Sequence, residues 1–312
     1  MLPSVRELLT GAIDYAGLFP PARLPMPDAV RRFGQHSAGP DGWMLARLVV
    51  PAARLGELTT ELLGKARGPQ PPVRLAALAR TTELASDLDD ILCFVDRHAG
   101  QATVDQLELR LPETPDQFAV AVEQSLEAIR ARAPEAVAFF EPSLLEGWPE
   151  RLPRSVDALA AAGGAVGLKI RCGGLEASAV PAPQAVAAAL AACRRAGIPL
   201  KATQGLHQPV RHFDAGLETT VHGFLNLFVA GVLGHCHGLS EQELLAIAEE
   251  REPAVFRFDR DRLSWRDLAA GVDGIAAARR AAVTSFGSCS FSEPRDALRG
   301  LGLLEAGGPA RR

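Results

Sequence analysis

Six short apolar runs recur along the chain at an almost constant interval, and that interval restricts the fold more than any other feature. Their centres lie near Arg47, Leu75, Glu108, Phe139, Lys169 and Lys201, spaced by 28, 33, 31, 30 and 32 residues. The intervening segments carry helix signals: Thr114-Pro115 opens one, Gly163-Gly164 ends another. Strands alternating with helices at this interval are β-α units, which build a parallel sheet covered by helices. A proline-rich connector over 68–72 links the second and third units. With residues 12–19 as the first strand, Lys169 falls on the sixth and Lys201 on the seventh. An eighth strand would close a (β/α)8 barrel of the TIM type. Residues 254–258 and 283–286 both qualify, although 256–265 reads more like a hairpin. The alternative is an open doubly wound sheet, whose dinucleotide-binding version is disfavoured because no GxGxxG follows an early strand. The 312 residues are expected to form one barrel domain, with 284–312 as a C-terminal tail packed on it.

Side chains alternate along a strand, so each run has an inward and an outward face. The apolar face meets the helices, and the other points into the barrel. That phase sends Arg47, Glu108, Arg110, Lys169, Arg171, Lys201 and Thr203 inward, with Glu141 at a strand's C-terminal end. Burying so many charges is costly unless they pair or meet a ligand. A salt-bridge network, for instance Glu108 with Lys169, accounts for part of the set and leaves positive charge in excess. The excess points to a small anionic metabolite, a carboxylate or phosphate, near the C-terminal mouth. Arg110 and Arg171 are the expected forked clamps. Arg47, Thr203, Asp14 and Asn226 are further candidates for substrate contact, and Gly173, Gly174 and Gly205 allow close approach of backbone N–H groups.

The two strand lysines stand out against the composition. Of 33 Lys plus Arg, only Lys65, Lys169 and Lys201 are lysine, leaving 30 arginines. Lysine differs from arginine in having an amine that can lose its proton and act as a nucleophile. Lys169 and Lys201 sit at matching places in Ala165-Val166-Gly167-Leu168-Lys169-Ile170-Arg171-Cys172-Gly173-Gly174 and Gly197-Ile198-Pro199-Leu200-Lys201-Ala202-Thr203-Gln204-Gly205-Leu206.

Five of the seven histidines lie beyond the seventh strand. His207 follows Lys201 closely enough to reach the mouth as an acid, a base or an anion donor. A metal site from His207, His212 and His222 is conceivable, but no HxxxH or HExxH spacing supports it, and neither metal nor cofactor is expected. Asn226 is either a buried hydrogen-bonding residue or a group that reaches the site. Cys289 lacks a clear histidine partner in the sequence. The net charge of −4 and the lack of a basic run argue against nucleic acid. No apolar run reaches membrane-spanning length. Five cysteines without CxxC spacing, and the absence of a leader pattern, favour the cytoplasm. A homo-oligomer is compatible with all of this.

A glycine-flanked strand lysine followed one β-α unit later by a second resembles the class I aldolases of the deoxyribose-phosphate aldolase type. The resemblance implies that Lys169 is the Schiff-base lysine and that the charge of Lys201 lowers its pKa. It covers about 40 residues of the 312. The chain departs from that family in Ile170-Arg171-Cys172, in Ala202-Thr203-Gln204, and in offering Glu108 where an aspartate is expected. The phrases Ile13-Asp14-Tyr15-Ala16-Gly17-Leu18-Phe19-Pro20-Pro21 and Phe286-Gly287-Ser288-Cys289-Ser290-Phe291 also resemble those of a bacterial protein group of unassigned activity. The expected function is a lyase or aldolase acting on a small anionic carbonyl compound through a lysine imine, with Glu141 or Glu108 moving protons. The alternatives are a transferase resembling the nicotinate/quinolinate phosphoribosyltransferases and a non-catalytic metabolite-binding barrel.

Overall fold

The structure is a computed structural model, and it describes residues 1–66 and 72–305. Eight parallel strands close a barrel. In chain order they begin with β1 (Ile13–Tyr15), β2 (Leu45–Pro51), β3 (Val73–Ala79), β4 (Ala102–Arg110), β5 (Val137–Glu141), β6 (Val166–Arg171) and β7 (Leu200–Thr203). The chain then forms the hairpin β8 (His212–Asp214) and β9 (Thr219–Val221), and a three-stranded antiparallel sheet of β10 (Phe256–Phe258), β11 (Arg262–Trp265) and β12 (Leu268–Gly271). Last comes β13 (Val283–Ser288), which lies between β7 and β1 and completes the ring. This is the (β/α)8 architecture that the strand interval predicts. Most of the 68–72 connector lies outside the described residues. No described helix is long and apolar enough to cross a membrane.

Each crossover follows from local sequence. The helix Pro183–Ala196 between β6 and β7 starts with proline in its first turn and ends at Gly197, whose φ of +67° is the left-handed cap that glycine tolerates. Its alanines are buried between the barrel and the neighbouring helices, with Ala185, Ala187, Ala189 and Ala191 fully buried. Between β7 and β13 the regular interval breaks. The hairpin, the helices Phe224–His237 and Glu241–Glu249, the antiparallel sheet and the helix Val272–Ala281 all intervene.

Of the two closing candidates, 283–286 lies in the strand that completes the ring and 256–265 forms the hairpin its sequence suggests, while the expected tail changes. Residues 254–258 do not close the barrel: Phe256 pairs with Trp265 and Phe258 with Leu263 in antiparallel register. Residues 284–288 are not tail, because β13 pairs Phe286 with Ala202 on one side and with Ile13 on the other. Phe286 is fully buried, stacked on Phe224 at 5.0 Å and edge-on to Phe228 at 5.8 Å. The helix Ser292–Gly300 follows, and Phe291 and Leu298 anchor it in the core.

Deleting a phenyl ring from such a site removes burial and leaves a cavity, which costs about 3–5 kcal/mol. Phe286→Ala should lower stability by that amount in urea unfolding. A loss below about 1 kcal/mol, typical of an exposed position, would show that this segment does not close the barrel.

Candidate active site

The register fixes the centre of the barrel. Lys169 of β6 pairs with Lys201 of β7, so the two ammonium groups enter the interior at one level from neighbouring strands. Beneath them, Gly167 pairs with Phe139, and a Cβ on Gly167 would lie 2.4 Å from the Phe139 ring. Glycine there makes room for that ring, over which the Lys201 ammonium lies at 5.9 Å.

Glu108 of β4 stands between the lysines. Its Oε2 is 2.6 Å from Lys169 Nζ and its Oε1 is 2.5 Å from Lys201 Nζ. Each lysine has a second carboxylate: Glu141 Oε2 at 2.8 Å from Lys169, and Asp14 Oδ2 at 2.7 Å from Lys201. Asp14 also accepts from Ser285 Oγ at 2.6 Å, and Glu108 from Gln106 Nε2 at 3.1 Å. The result is an alternating chain, Glu141–Lys169–Glu108–Lys201–Asp14, crossing the barrel from β5 to β1.

Burial alone would raise the Glu108 pKa, but the two lysine charges outweigh it, and the pKa falls from an ordinary 4.5 to about 2. The Glu141 pKa is lowered in the same way, burial being outweighed by Lys169 and Arg171. For Lys169, burial favours the neutral amine, yet the charges of Glu108 and Glu141 prevail and raise its pKa. This corrects the expectation that Lys201 depresses it. The carboxylate between the lysines turns repulsion into shared attraction, so Lys169 rests as an ammonium.

Above this chain lies a cavity of about 690 Å³, bounded by the C-terminal ends of the strands and the loops that follow them. Lys169, Glu108, Arg110, Arg171, Thr203, Gly174, Gly205 and His207 line it. Lys201 does not; it is fully buried. Arg171 is committed to Glu141 Oε1, 2.8 Å from Nη2, and to Gln204 Oε1, 3.1 Å from Nη1. Arg110 is 73% exposed, and its Nε is 3.6 Å from Glu141 Oε1. Arg110 is therefore the less engaged cation at the rim.

Several expected contacts lie elsewhere. Arg47 does not line the cavity: its Nε is 2.6 Å from Asp105 Oδ1, and its Nη1 is 3.6 Å from Asp14 Oδ1. The reason is a slip in register. Leu75 pairs with Val104 and Ala76 with Gln106, which leaves Asp105 as an extra residue turned toward Arg47. Asp14 likewise serves Lys201 rather than the cavity. Asn226 is a structural residue: its Nδ2 donates to Ile247 O and Glu250 O, and its Oδ1 accepts from Arg211 N. Gly173 permits close passage of two loops, since a Cβ there would lie 2.9 Å from Gly205 Cα. With Asp14 buried inside and Asp105 partnering Arg47, the expected surplus of positive charge shrinks.

The three histidines considered for a metal do not converge. His222 is buried with Nε2 2.8 Å from Pro181 O, and burial pushes its pKa down to about 4. His212 Nδ1 is 3.0 Å from Val210 O. Among the described residues no group of three His, Cys, Asp or Glu side chains could hold a metal ion.

Sequence reasoning missed Ser285, Gln106 and Asp105, as well as the neighbours of His207. His207 Nδ1 lies 2.9 Å from Glu293 Oε2, and Nε2 lies 3.9 Å from Cys289 Sγ. All three line the cavity. The hairpin β8–β9 adds His212 and Asp214 to its wall, while Phe213 between them points outward and is exposed.

No family model matches the chain, and no curated protein matches it. Among solved structures, the chain is similar to a deoxyribose phosphate aldolase from Aeropyrum pernix, whose structure is described as tetrameric. The identity is 13%, the match covers 96% of this chain and 94% of that one, and the TM-score is 0.52. An aldolase designated QR15 aligns with 62% of this chain and 80% of its own at 15% identity, with a TM-score of 0.43. The first likeness is one of fold.

The charge chain has a signature in stability. A carboxyl with a depressed pKa stabilises the fold above its unfolded-state value and loses that contribution as pH falls toward its folded value. For Glu108 the window runs from 4.5 down to about 2. The contribution of Lys169, whose pKa is raised above 10.5, persists below that value and is lost only as pH climbs through the folded one. Glu108→Gln should cost about 3–5 kcal/mol at neutral pH, the scale of a broken buried pair. It should also flatten the fall in stability between pH 4.5 and about 2. Urea unfolding of both proteins across that range checks this; equal stability at neutral pH would contradict it.

Proposed function

We propose that the protein is a lyase of the aldolase type that acts on a small carbonyl compound through an imine at Lys169. One observation carries the reading. Lys169 is the strand lysine that reaches the cavity, and its Nζ lies 2.6 and 2.8 Å from two carboxylates through which protons can be moved during the reaction. The aldolase activity named for the fold neighbour agrees with it.

The chemistry runs through groups already in place. Glu108 or Glu141 takes a proton from the Lys169 ammonium, leaving a free amine. The amine adds to the carbonyl carbon, forming the C–N bond, and the oxygen takes a proton from the nitrogen to give a carbinolamine. The protonated carboxyl then donates to that hydroxyl, which leaves as water and leaves an iminium. Cleavage of the bond between the carbons α and β to the iminium sends its electrons toward the nitrogen, giving an enamine, which is protonated at the α carbon by a protonated carboxyl and released from Lys169 by water. A carboxylate removes the hydroxyl proton of the departing aldehyde. Lys201 holds Glu108 in place beside Lys169 through their ion pair.

Arg110 at the rim, with Arg171 behind it, offers charge to an anionic group on the substrate, and Gly174 and Gly205 leave backbone exposed beside it. The free cysteines fit a reducing compartment, and we place the protein in the cytoplasm. By analogy with the tetrameric neighbour, a homo-oligomer is the working assembly.

Borohydride reduction in the presence of a panel of aldehydes and ketones, followed by peptide mass analysis, tests the reading. An adduct should form on Lys169 and vanish in Lys169→Arg. No adduct on either strand lysine across the panel would sink the imine. For any substrate found, Arg110→Ala should raise KM about tenfold for an anionic carbonyl compound, the scale of one charge-assisted hydrogen bond, and leave its uncharged analogue unaffected.

A further inference from the structure

The chain from Glu141 to Asp14 makes no use of the second reactive group at the cavity. Cys289 follows β13 directly, and His207 follows β7, so barrel closure brings together two residues 82 positions apart. Each imidazole nitrogen faces a neighbour, the Nδ1 contact being one of distance without hydrogen-bond alignment. Nε2 is 3.9 Å from Cys289 Sγ, within reach of a weak S–H donor, and Nδ1 is 2.9 Å from a Glu293 oxygen. Glu293 lies in the first turn of the helix Ser292–Gly300, which anchors the carboxylate on a rigid element. Nucleophile, base and orienting carboxylate thus follow one another along the cavity wall, the arrangement in which a thiol hands its proton to an imidazole as it attacks.

We infer that Cys289, His207 and Glu293 form a second nucleophilic site at the rim, where the thiol adds reversibly to the carbonyl carbon of a small aldehyde. The S–C bond forms as the π bond of the carbonyl opens onto oxygen. The thiol proton passes to His207 Nε2 and then to that oxygen, giving a hemithioacetal with no oxidant, reductant or leaving group. Cys289 and His207 are the reacting groups, and Glu293 is a positioning residue that acts through His207. The site stands independently of the imine at Lys169, which arises from different strands.

The other cysteines supply internal controls. Cys172 and Cys193 are buried, and burial pushes their thiols up, Cys172 to about 12. Cys93 and Cys236 are exposed and have no histidine contact among the described hydrogen bonds, whereas Cys289 is only partly exposed. Burial and the Glu293 charge favour the protonated thiol at Cys289, and backbone N–H groups of Ala22 and Cys289 act the other way. Its reactivity therefore depends on the transfer to His207 rather than on a standing thiolate.

Two measurements on the full-length protein test this. In the first, iodoacetamide labelling is followed site by site by peptide mass spectrometry at neutral pH. Cys289 should react faster than Cys93 and Cys236 despite its lower exposure. His207→Ala should slow Cys289 by about 100-fold, the scale of a positioned general base, with partial rescue by free imidazole. Glu293→Gln should slow it by a smaller factor, and Glu293→Asp should retain more of the rate than Glu293→Gln. The exposed cysteines should be unchanged in every variant.

In the second, carbon-13 NMR of labelled glycolaldehyde should show a hemithioacetal carbon that disappears in Cys289→Ser and persists in Lys169→Arg. The imine signal should show the reverse dependence, so failure of one reading is distinguishable from failure of the other. The inference is overturned if Cys289 labels no faster than the exposed cysteines. It is equally overturned if His207→Ala leaves its rate intact, or if no carbon signal depends on Cys289.

Discussion

Two ammonium groups entering a closed barrel side by side repel each other, and one carboxylate makes the arrangement stable. Glu108 contacts both Lys169 and Lys201 at hydrogen-bond distance. Without it, two buried cations would share a single level with no charge between them, a costly state in a low-dielectric interior. Much of the interior follows from this bridge. Gln106, two residues earlier on β4, donates to Glu108. Asp14 and Ser285, brought in by the first and last strands, complete the partners of Lys201. Glu141 completes those of Lys169 and passes the alternation outward to Arg171 at the mouth.

The bridge also separates the lysines into two roles. Lys201 is sealed from the cavity, whereas Lys169 lies on its wall. An imine mechanism needs a free amine at the wall and a nearby acceptor for its proton, and both carboxylates of Lys169 meet that need. The mechanism consequently does not require a lysine that is neutral at rest. It requires a short transfer within an ion pair, after which the protonated carboxyl supplies the acid for loss of water.

The interval between strands made the barrel readable, because each β-α unit occupies a similar length of chain. Alternation made Glu108, Lys169 and Lys201 readable as inward, since a pleated strand allows only two faces. What failed shares a physical origin. The closing strand was ambiguous because the hairpin, three helices and an antiparallel sheet separate β7 from β13. Asp105 escaped because a slip in register reversed its face. The contact of Asp14 with Lys201 spans 187 positions, and that of Cys289 with His207 spans 82; both exist only once the ring is closed. The direction of the Lys169 pKa is not legible for a related reason: the sequence offers Glu108 and Glu141 as inward carboxylates, but not that both lie within 2.8 Å of its ammonium.

The rarity of lysine in this chain offers a direct view of the centre. Lys65, Lys169 and Lys201 are the only three lysines, so selective nitrogen-15 labelling of lysine gives one resonance for each. In the free protein at neutral pH Lys169 should be an ammonium, held so by Glu108 and Glu141. Among the three, its resonance should be the one that moves to an imine position when a reactive carbonyl compound is added, while Lys201 remains an ammonium. A neutral amine at Lys169 in the free protein, or imine formation at Lys201 instead, would contradict the account.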